Sequence, residues 1–297
     1  YPTKPIRLVV PFTPGAGTDT VARFVAQRLS ERLGQQVVVE NRTGAGGAIG
    51  AAEVAKAEPD GYTLLFVASP FTTVAASAKN PGYDPVGQFV PVAPIASGPL
   101  AFVVNPAVPA TTMREFVELA RREPGRLNYG SARTASVTPP ALELLMARTG
   151  TTIVHVPYRG IADATKDLIA GTLQAMTASI PAALPLAADK RVRVLAVTGP
   201  KRIPQMPDVP SWQEQGVANA EVINYWGIVA PAGTPRDAIA KLNAEMNRVM
   251  RLPEVAQRLA GDGVEPVGAT PEQFGSYLRQ EIVKWGKVVR LSGAKAE

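Results

Sequence analysis

Three loops of the sequence have the composition of anion-binding sites. The first, Pro14-Gly15-Ala16-Gly17-Thr18-Asp19, lies between an apolar segment and a segment with helical periodicity. Glycines let the backbone approach a ligand closely, and free N–H groups at a helix N-terminus attract an anion such as a carboxylate. In the alternative interpretation, Gly15 only forms a turn and Asp19 only caps the helix.

Two further loops repeat this arrangement. The segment 41–50 is rich in glycine, and the segment 128–139 combines small hydroxyl residues with Arg133 just before a predicted helix. An arginine in such a position can pair with a carboxylate. Because loops that follow parallel strands open at one edge of a sheet, the spacing predicts ligand binding at that edge.

The first loop also partly resembles a dinucleotide-binding turn. Gly15 and Gly17 follow a strand, and Glu40 ends the next strand, where an acid that binds ribose would stand. However, Thr20 occupies the third glycine position, and two prolines widen the loop. These details favour a backbone cradle for another anion over a nucleotide site.

The composition excludes much enzymatic chemistry. The chain has no cysteine and one histidine, so thiol nucleophiles, thiolate zinc sites and multi-histidine metal sites are ruled out. His155 lies in an apolar Ile-Val-His-Val-Pro run, which indicates a structural rather than a catalytic residue. Since the common hydrolase, kinase and metalloprotease motifs are also missing, we predict non-catalytic binding that needs no cofactor or metal.

The length and patterning of the chain predict how these loops are positioned. With 297 residues, 46% of them hydrophobic, the chain is long enough for about two domains. Apolar runs alternate with helical segments, as in Ile6 to Phe12 followed by Thr18 to Leu33, which predicts an α/β fold with mainly parallel sheets. A helical tail begins at the Thr270-Pro271-Glu272 start signal.

The charge pattern and the first residue bear on partners and location. The formal charge of +6 comes from scattered residues without a basic run, so no nucleic-acid partner is expected. The apolar runs are shorter than the roughly 18 to 20 residues that span a bilayer. Because the chain starts at Tyr1, we expect a mature form from which a targeting segment has been removed.

Several short motifs together resemble the Bug-type solute-binding receptors of tripartite tricarboxylate transporters. They extend over nearly the whole chain and include Pro14-Gly15-Ala16-Gly17-Thr18-Asp19, Val39-Glu40-Asn41-Arg42, Pro59-Asp60-Gly61-Tyr62, His155-Val156-Pro157-Tyr158-Arg159-Gly160 and Pro231-Ala232-Gly233-Thr234-Pro235. The resemblance implies a monomeric periplasmic receptor with the two-lobed type II periplasmic binding protein fold, or Venus flytrap. One lobe would comprise residues 1–104 and 225–297, and the other residues 105–224.

The same resemblance implies that the lobes close around a small organic mono- or dicarboxylate, which is then delivered to the membrane permease subunits. The implied ligand-binding residues are Phe12, Pro14, Gly15, Ala16, Gly17, Thr18, Asp19, Ser69, Phe71, Ser131, Arg133, Thr134, Ala135, Ser136, Tyr158 and Ser179. A sensor for a two-component system and, less favoured, a nucleotide-dependent enzyme remain as alternative functions.

Departures from the family pattern bear on the ligand. Proline stands at position 139 where histidine is common, and Ala178-Ser179 replaces a common Asp-Asn pair. These changes remove polar side chains, whereas Phe12, Phe71 and Arg133 would add aromatic surface and one positive charge. The expected ligand is therefore an aromatic or medium-chain dicarboxylate, with one carboxylate at the first loop and the other near Arg133.

Overall fold

A computed structural model of the chain describes residues 1–15, 17–132, 138–158, 161–217, 221–261 and 263–292. The strands are β1 (Ile6–Val10), β2 (Val37–Asn41), β3 (Thr63–Ala68), β4 (Phe89–Pro99), β5 (Ala101–Val104), β6 (Asn128–Ala132), β7 (Val154–Tyr158), β8 (Ala175–Ala178), β9 (Arg193–Val197), β10 (Ile223–Pro231) and β11 (Glu265–Pro266). The helices are α1 (Gly17–Leu33), α2 (Ala48–Val54), α3 (Pro70–Ser77), α4 (Met113–Arg122), α5 (Thr138–Thr149), α6 (Ile161–Ala170), α7 (Ile180–Ala188), α8 (Arg236–Met250), α9 (Pro253–Gly261) and α10 (Pro271–Ser292).

The strands form two sheets, each of which is the centre of one lobe. The sheet of the first lobe has the order β11-β4-β10-β3-β1-β2, and that of the second lobe has the order β7-β6-β8-β5-β9. Helices cover both faces of each sheet, so each lobe contains two apolar layers. This is the predicted two-lobed α/β architecture.

The prediction of mainly parallel sheets was wrong, because both sheets are mixed. In the first lobe β1 is parallel to β2 and β3, but β10 is antiparallel to β3 and β4. In the second lobe β6 is parallel to β7 and β8, whereas β5 is antiparallel to β8 and β9. The antiparallel pairs arise where the chain leaves one lobe through β4 and β5 and later returns through β10.

The strand pairing also moves the boundary between the lobes. β5, which the sequence analysis assigned to the first lobe, pairs with β8 and β9 in the second sheet. The outward crossing therefore lies at Leu100 rather than after residue 104. In addition, α10 serves both lobes, since Phe274 packs in the first lobe while Trp285 packs in the second.

Local signals explain why several elements begin where they do. At α4, the Thr112 side chain accepts a hydrogen bond from the Glu115 N–H, and the Glu115 side chain accepts one from the Thr112 N–H, which forms a capping box. Pro70 and Pro271 begin α3 and α10, where a missing N–H costs nothing. Among the described helices, none has the length and apolar character that a membrane crossing requires.

Thr198 ties together the strands that cross between the lobes. Its side chain is fully buried, and its hydroxyl accepts a hydrogen bond from the Leu100 N–H at 2.8 Å while donating one to the Val222 carbonyl at 2.6 Å. Leu100 precedes β5 and Val222 precedes β10, so one hydroxyl joins both crossings.

We expect Thr198→Val to lower the free energy of unfolding by about 2 to 4 kcal/mol, because a buried N–H and a buried carbonyl lose their side-chain partner. Urea unfolding followed by circular dichroism measures this loss. Thr198→Ser keeps the hydroxyl and should cost about 1 kcal/mol. Equal losses for valine and serine would show that the two hydrogen bonds do not stabilise the crossing.

Candidate functional site

The first predicted loop connects β1 to the N-terminus of α1 and is largely open to solvent. Pro14, Gly15 and Gly17 are exposed, and Thr18 is half-buried. Gly15 has a φ of +77°, which favours glycine, and a Cβ at Gly15 or Gly17 would meet no atom within 4 Å. The loop therefore presents its backbone to open space at the start of a helix; Ala16 lies outside the described residues.

Asp19 holds this loop from beneath. Its side chain is only 1% exposed, and Oδ2 accepts hydrogen bonds from the Gly15 N–H and from Arg23 Nε, both at 2.9 Å. Oδ1 accepts a further bond from Asn41 Nδ2 at 2.7 Å. Because both oxygens are engaged and the group is buried, Asp19 positions the loop. Its contact with a ligand stays a prediction.

Thr18 is fixed by the strand that returns from the second lobe. The indole Nε1 of Trp226, on β10, donates a hydrogen bond to Thr18 Oγ1 at 3.0 Å. The Trp226 ring is 8% exposed and packs in the first-lobe core. Nothing in the sequence indicated this bond, since the two residues are 208 positions apart.

Two predicted contacts after β3 have buried side chains. Ser69 is 1% exposed; its hydroxyl donates to Asn224 Oδ1 at 2.9 Å and accepts from the Tyr225 N–H at 3.1 Å. Phe71 is 5% exposed and packs against the rings of Tyr83 and Phe89, both with centroids 5.3 Å away. The Phe71 ring is therefore part of the first-lobe core in this structure, and its contact with a ligand stays a prediction. Phe12 is half-buried against the first-lobe core.

Glu40, the acid that would bind ribose in a dinucleotide site, forms ion pairs with arginines instead. Glu40 forms ion pairs with Arg7 and Arg42, and Glu53 pairs with the same two arginines. The hydrogen bond from Arg7 is the main cause that lowers the pKa of Glu40. This network joins β1, β2 and α2, so Glu40 has a structural role.

In the second lobe the predicted residues lie at the carboxyl ends of neighbouring strands. Ser131, near the end of β6, is fully buried, and its Oγ lies 2.6 Å from His155 Nε2. Ser179 is exposed as the N-cap residue of α7 and makes no side-chain capping bond. The predicted contacts Arg133, Thr134, Ala135 and Ser136 fall outside the described residues.

Tyr158 and Thr177 add two hydroxyl groups to this region. The Tyr158 hydroxyl donates to Asp167 Oδ2 at 2.7 Å, and desolvation together with this bond raises the pKa of Tyr158 to about 12. Thr177, which the sequence analysis missed, is 1% exposed and its Oγ1 has no hydrogen-bond partner among the described residues. The neighbours of Thr177 in the sequence are apolar residues of a strand, so no local pattern indicates that its hydroxyl lies near the proposed site.

The strand registers bring the two sets of loops to the same region of the molecule. At the end of β3, Ala68 pairs with Trp226 of the returning strand. At the end of β8, Ala178 pairs with Ala101, the residue after the crossing at Leu100. The carboxyl ends of both parallel sets therefore lie next to the crossing. In the described part of the chain, no cluster of His, Asp or Glu is suited to hold a metal ion.

Comparisons with known proteins agree with this arrangement. The profile of the "Tripartite tricarboxylate transporter family receptor" matches residues 21–293. Protein BugT of Bordetella pertussis is 35% identical over 297 residues, which cover 99% of this chain and 91% of BugT.

Two solved structures have the same fold along their full length. R. palustris Rpa4515, solved with adipate, is 35% identical, with a TM-score of 0.86 and coverage of 99% of this chain and 98% of that one. MatC (Rpa3494) from Rhodopseudomonas palustris, solved with bound malate, is 31% identical, with a TM-score of 0.83 and coverage of 97% and 100%. The chain belongs to the receptor family of the tripartite tricarboxylate transporters.

Proposed function

We propose that this protein is an extracytoplasmic receptor that captures a small organic dicarboxylate between its lobes and delivers it to a transporter permease. The observation that carries the proposal is the exposed loop before α1. The acid beside this loop, Asp19, is buried beneath it and accepts hydrogen bonds from Gly15, Arg23 and Asn41. An exposed helix N-terminus with free space around Gly15 and Gly17 suits a carboxylate.

The ligand class follows from what surrounds that loop. The half-buried Phe12 supplies apolar surface near it, whereas the rings of Phe71 and Trp226 are buried in the core. Little aromatic surface is therefore available to an aromatic ligand. Adipate, the acid found in the Rpa4515 structure, combines two carboxylates with an apolar linker. A medium-chain aliphatic dicarboxylate is therefore the favoured ligand, with its second carboxylate beside Arg133.

Capture would occur by closure of the lobes, since a ligand that contacts both loops stabilises the closed state over the open one. A thermal-shift screen tests the receptor function. Adipate or a related diacid should raise the melting temperature, while NAD and ATP should leave it unchanged. Stabilisation by a nucleotide without any by a diacid would contradict the proposal.

Arg133→Ala tests the second contact. We expect the Kd for adipate to rise about 10- to 100-fold, because a charge-assisted hydrogen bond contributes roughly 1.5 to 3 kcal/mol. Hexanoate, which has the same chain length but a single carboxylate, should bind the variant and the wild type equally well. Isothermal titration calorimetry measures both acids.

Arg126→Ala is the matched control, since Arg126 lies in the same lobe with a 75% exposed side chain paired to Glu123. It should leave both affinities unchanged. If Arg133→Ala also left the affinity for adipate unchanged, Arg133 would not contact the second carboxylate.

A further inference from the structure

The end of α9 in the first lobe touches the start of α7 in the second lobe. Ile180, the first residue of α7, is 1% exposed and packs in the second-lobe core. A Cβ placed on Gly263, just after α9, would lie 2.3 Å from Ile180 Cβ and 2.8 Å from both of its Cγ atoms. The isoleucine side chain therefore rests directly on the Gly263 backbone, and no side chain fits at position 263.

The way in which α9 ends holds the backbone of Gly263. The Gly263 N–H donates to the Ala260 carbonyl at 2.9 Å, and the Val264 N–H donates to the Leu259 carbonyl at 3.1 Å. Since Gly263 has a φ of +72°, these two bonds form a Schellman ending, and both Leu259 and Val264 belong to the first-lobe core. The first lobe thus sets the position of Gly263 independently of Ile180.

A hydrogen bond joins the lobes at the same place. Gln205 Nε2 donates to the Ala260 carbonyl at 2.9 Å, and Gln205 lies between Ile203 and Met206, which pack in the second-lobe core. Beside these contacts is a cavity of about 210 Å³, lined by residues of both lobes that include Gln205 and Gly263. Because the lobes do not pack together across this cavity, the contacts at the end of α9 bear on their relative position.

The contact lies at the edges of the two sheets that face each other. β11 pairs with β4 so that Glu265 stands opposite Ser97, which places Gly263 at the end of β4 that leads to the second lobe. In the second lobe, Ile180 directly follows Ser179, a proposed ligand contact after β8. A larger group at position 263 would push these two edges apart.

We propose that the contact between Ile180 and Gly263 is a pivot on which the second lobe turns, and that the lack of a side chain at position 263 lets the cleft close. Gly263 is thus a positioning residue, because it acts on a ligand through α7 and Ser179 without touching it. The inference rests on the proposed function, since the closure that it permits is closure on a dicarboxylate.

Gly263→Ala tests the pivot. The added methyl group should separate the sheet edges and lower the population of the closed state, so that the Kd for adipate rises about tenfold in a calorimetric titration. Gly34→Ala is the matched control, because Gly34 also follows a first-lobe helix with a positive φ, +65°, but a Cβ there would meet no atom within 4 Å. Backbone strain should lower the melting temperature of both variants, whereas Gly34→Ala should leave the Kd unchanged.

The lobe position can also be measured without a ligand. Because the chain has no cysteine, Lys166→Cys and Lys241→Cys place one spin label on an exposed site of each lobe. In pulsed electron paramagnetic resonance, Gly263→Ala should change the distance between the labels by at least about 1 Å, since a carbon–carbon contact of about 3.5 to 4 Å has to be restored. Gly34→Ala should not change it. An unchanged Kd or an unchanged distance in Gly263→Ala would overturn the inference.

A double substitution tests whether Ile180 is the partner. Ile180→Gly removes the atoms that the new methyl group meets, so Gly263→Ala should change the Kd by no more than about twofold in that background. A tenfold increase that persisted there would contradict the role of Ile180. If Ile180→Gly does not fold, the comparison of Gly263→Ala with Gly34→Ala decides the matter alone.

The outcomes distinguish this inference from the proposed function. If adipate binds the wild type, and Gly263→Ala changes neither its Kd nor the distance between the labels, only the pivot is refuted. If neither adipate nor malate binds the wild type, the proposed ligand class fails. The distance measurement then still decides whether Gly263 sets the position of the lobes.

Discussion

Replacing Asp19 by alanine should lower the free energy of unfolding by about 2 to 4 kcal/mol and weaken adipate binding at least about tenfold. The substitution leaves the Gly15 N–H without its Asp19 acceptor and removes one of the two acceptors of the Asn41 amide, which keeps the Phe12 carbonyl. Arg23 is 50% exposed on its side chain, so its charge returns to water at little cost. The loop then has to be ordered by the ligand, which costs about 1 kcal/mol for each residue fixed. Urea unfolding and calorimetry measure the two effects.

Asp163→Ala provides the matched control. Asp163 also lies in the first turn of a helix and pairs with a cation, Lys166 at 3.6 Å, but its side chain is 56% exposed. Its removal should change stability by less than about 1 kcal/mol and leave binding intact. Equal effects of the two substitutions would show that Asp19 is only an ordinary helix cap.

The pH dependence of stability gives an independent check on Asp19. Burial by itself would raise its pKa, but the hydrogen bonds from Arg23, Asn41 and Gly15 outweigh burial and lower it. A lowered pKa means that the stabilisation is complete above the unfolded value of about 3.9 and is lost as the pH falls through the folded pKa. Below pH of about 4, the wild type should therefore lose stability more steeply than Asp19→Ala.

The sequence predicted the helices and strands well, because the residues that a helix or strand buries recur with a regular spacing along the chain. The helix predicted over Thr18 to Leu33 is observed as α1, Gly17–Leu33, and the loop before it was correctly identified from its glycines and prolines. Strand direction leaves no such trace, since alternation of apolar residues records which face is buried and not which way the neighbouring strand runs. The antiparallel entry of β10 could for that reason not be predicted.

Individual site residues were harder to predict because their roles depend on distant partners. Phe71 was expected to present aromatic surface to the ligand, but Pro70 starts α3 there and the ring packs in the core against Tyr83 and Phe89. Asp19 was correctly placed at the loop, yet its burial depends on Asn41 from the next strand. Neither contact follows from the local sequence.

The C-terminal helix α10 packs in both lobes through buried side chains, among them Phe274 in the first lobe and Trp285 in the second. Phe274 is 2% exposed and packs in the first lobe, where Gly227 leaves room for its ring: a Cβ there would lie 2.2 Å from the phenylalanine. Trp285 is 1% exposed and packs in the second lobe, and its Nε1 donates to Glu281 Oε2 at 2.8 Å. The helix therefore couples the stability of the lobes.

Trp285→Ala should lower the free energy of unfolding by about 3 to 5 kcal/mol, because a large buried ring is lost and Glu281 loses a donor. Trp285→Phe should cost less, since it removes the N–H but keeps most of the packing. Val283→Ala, at a residue 55% exposed on the same helix, should change stability by less than about 0.5 kcal/mol.

The shape of the unfolding curve tests the coupling itself. If α10 unites the lobes, Trp285→Ala and Phe274→Ala should each move a single transition, observed at the same denaturant concentration by tryptophan fluorescence and by circular dichroism. Two separate transitions, of which Trp285→Ala moved one and Phe274→Ala the other, would show that the lobes unfold independently. Closure on a ligand would then depend on the crossing strands alone, since α10 would not transmit stability from one lobe to the other.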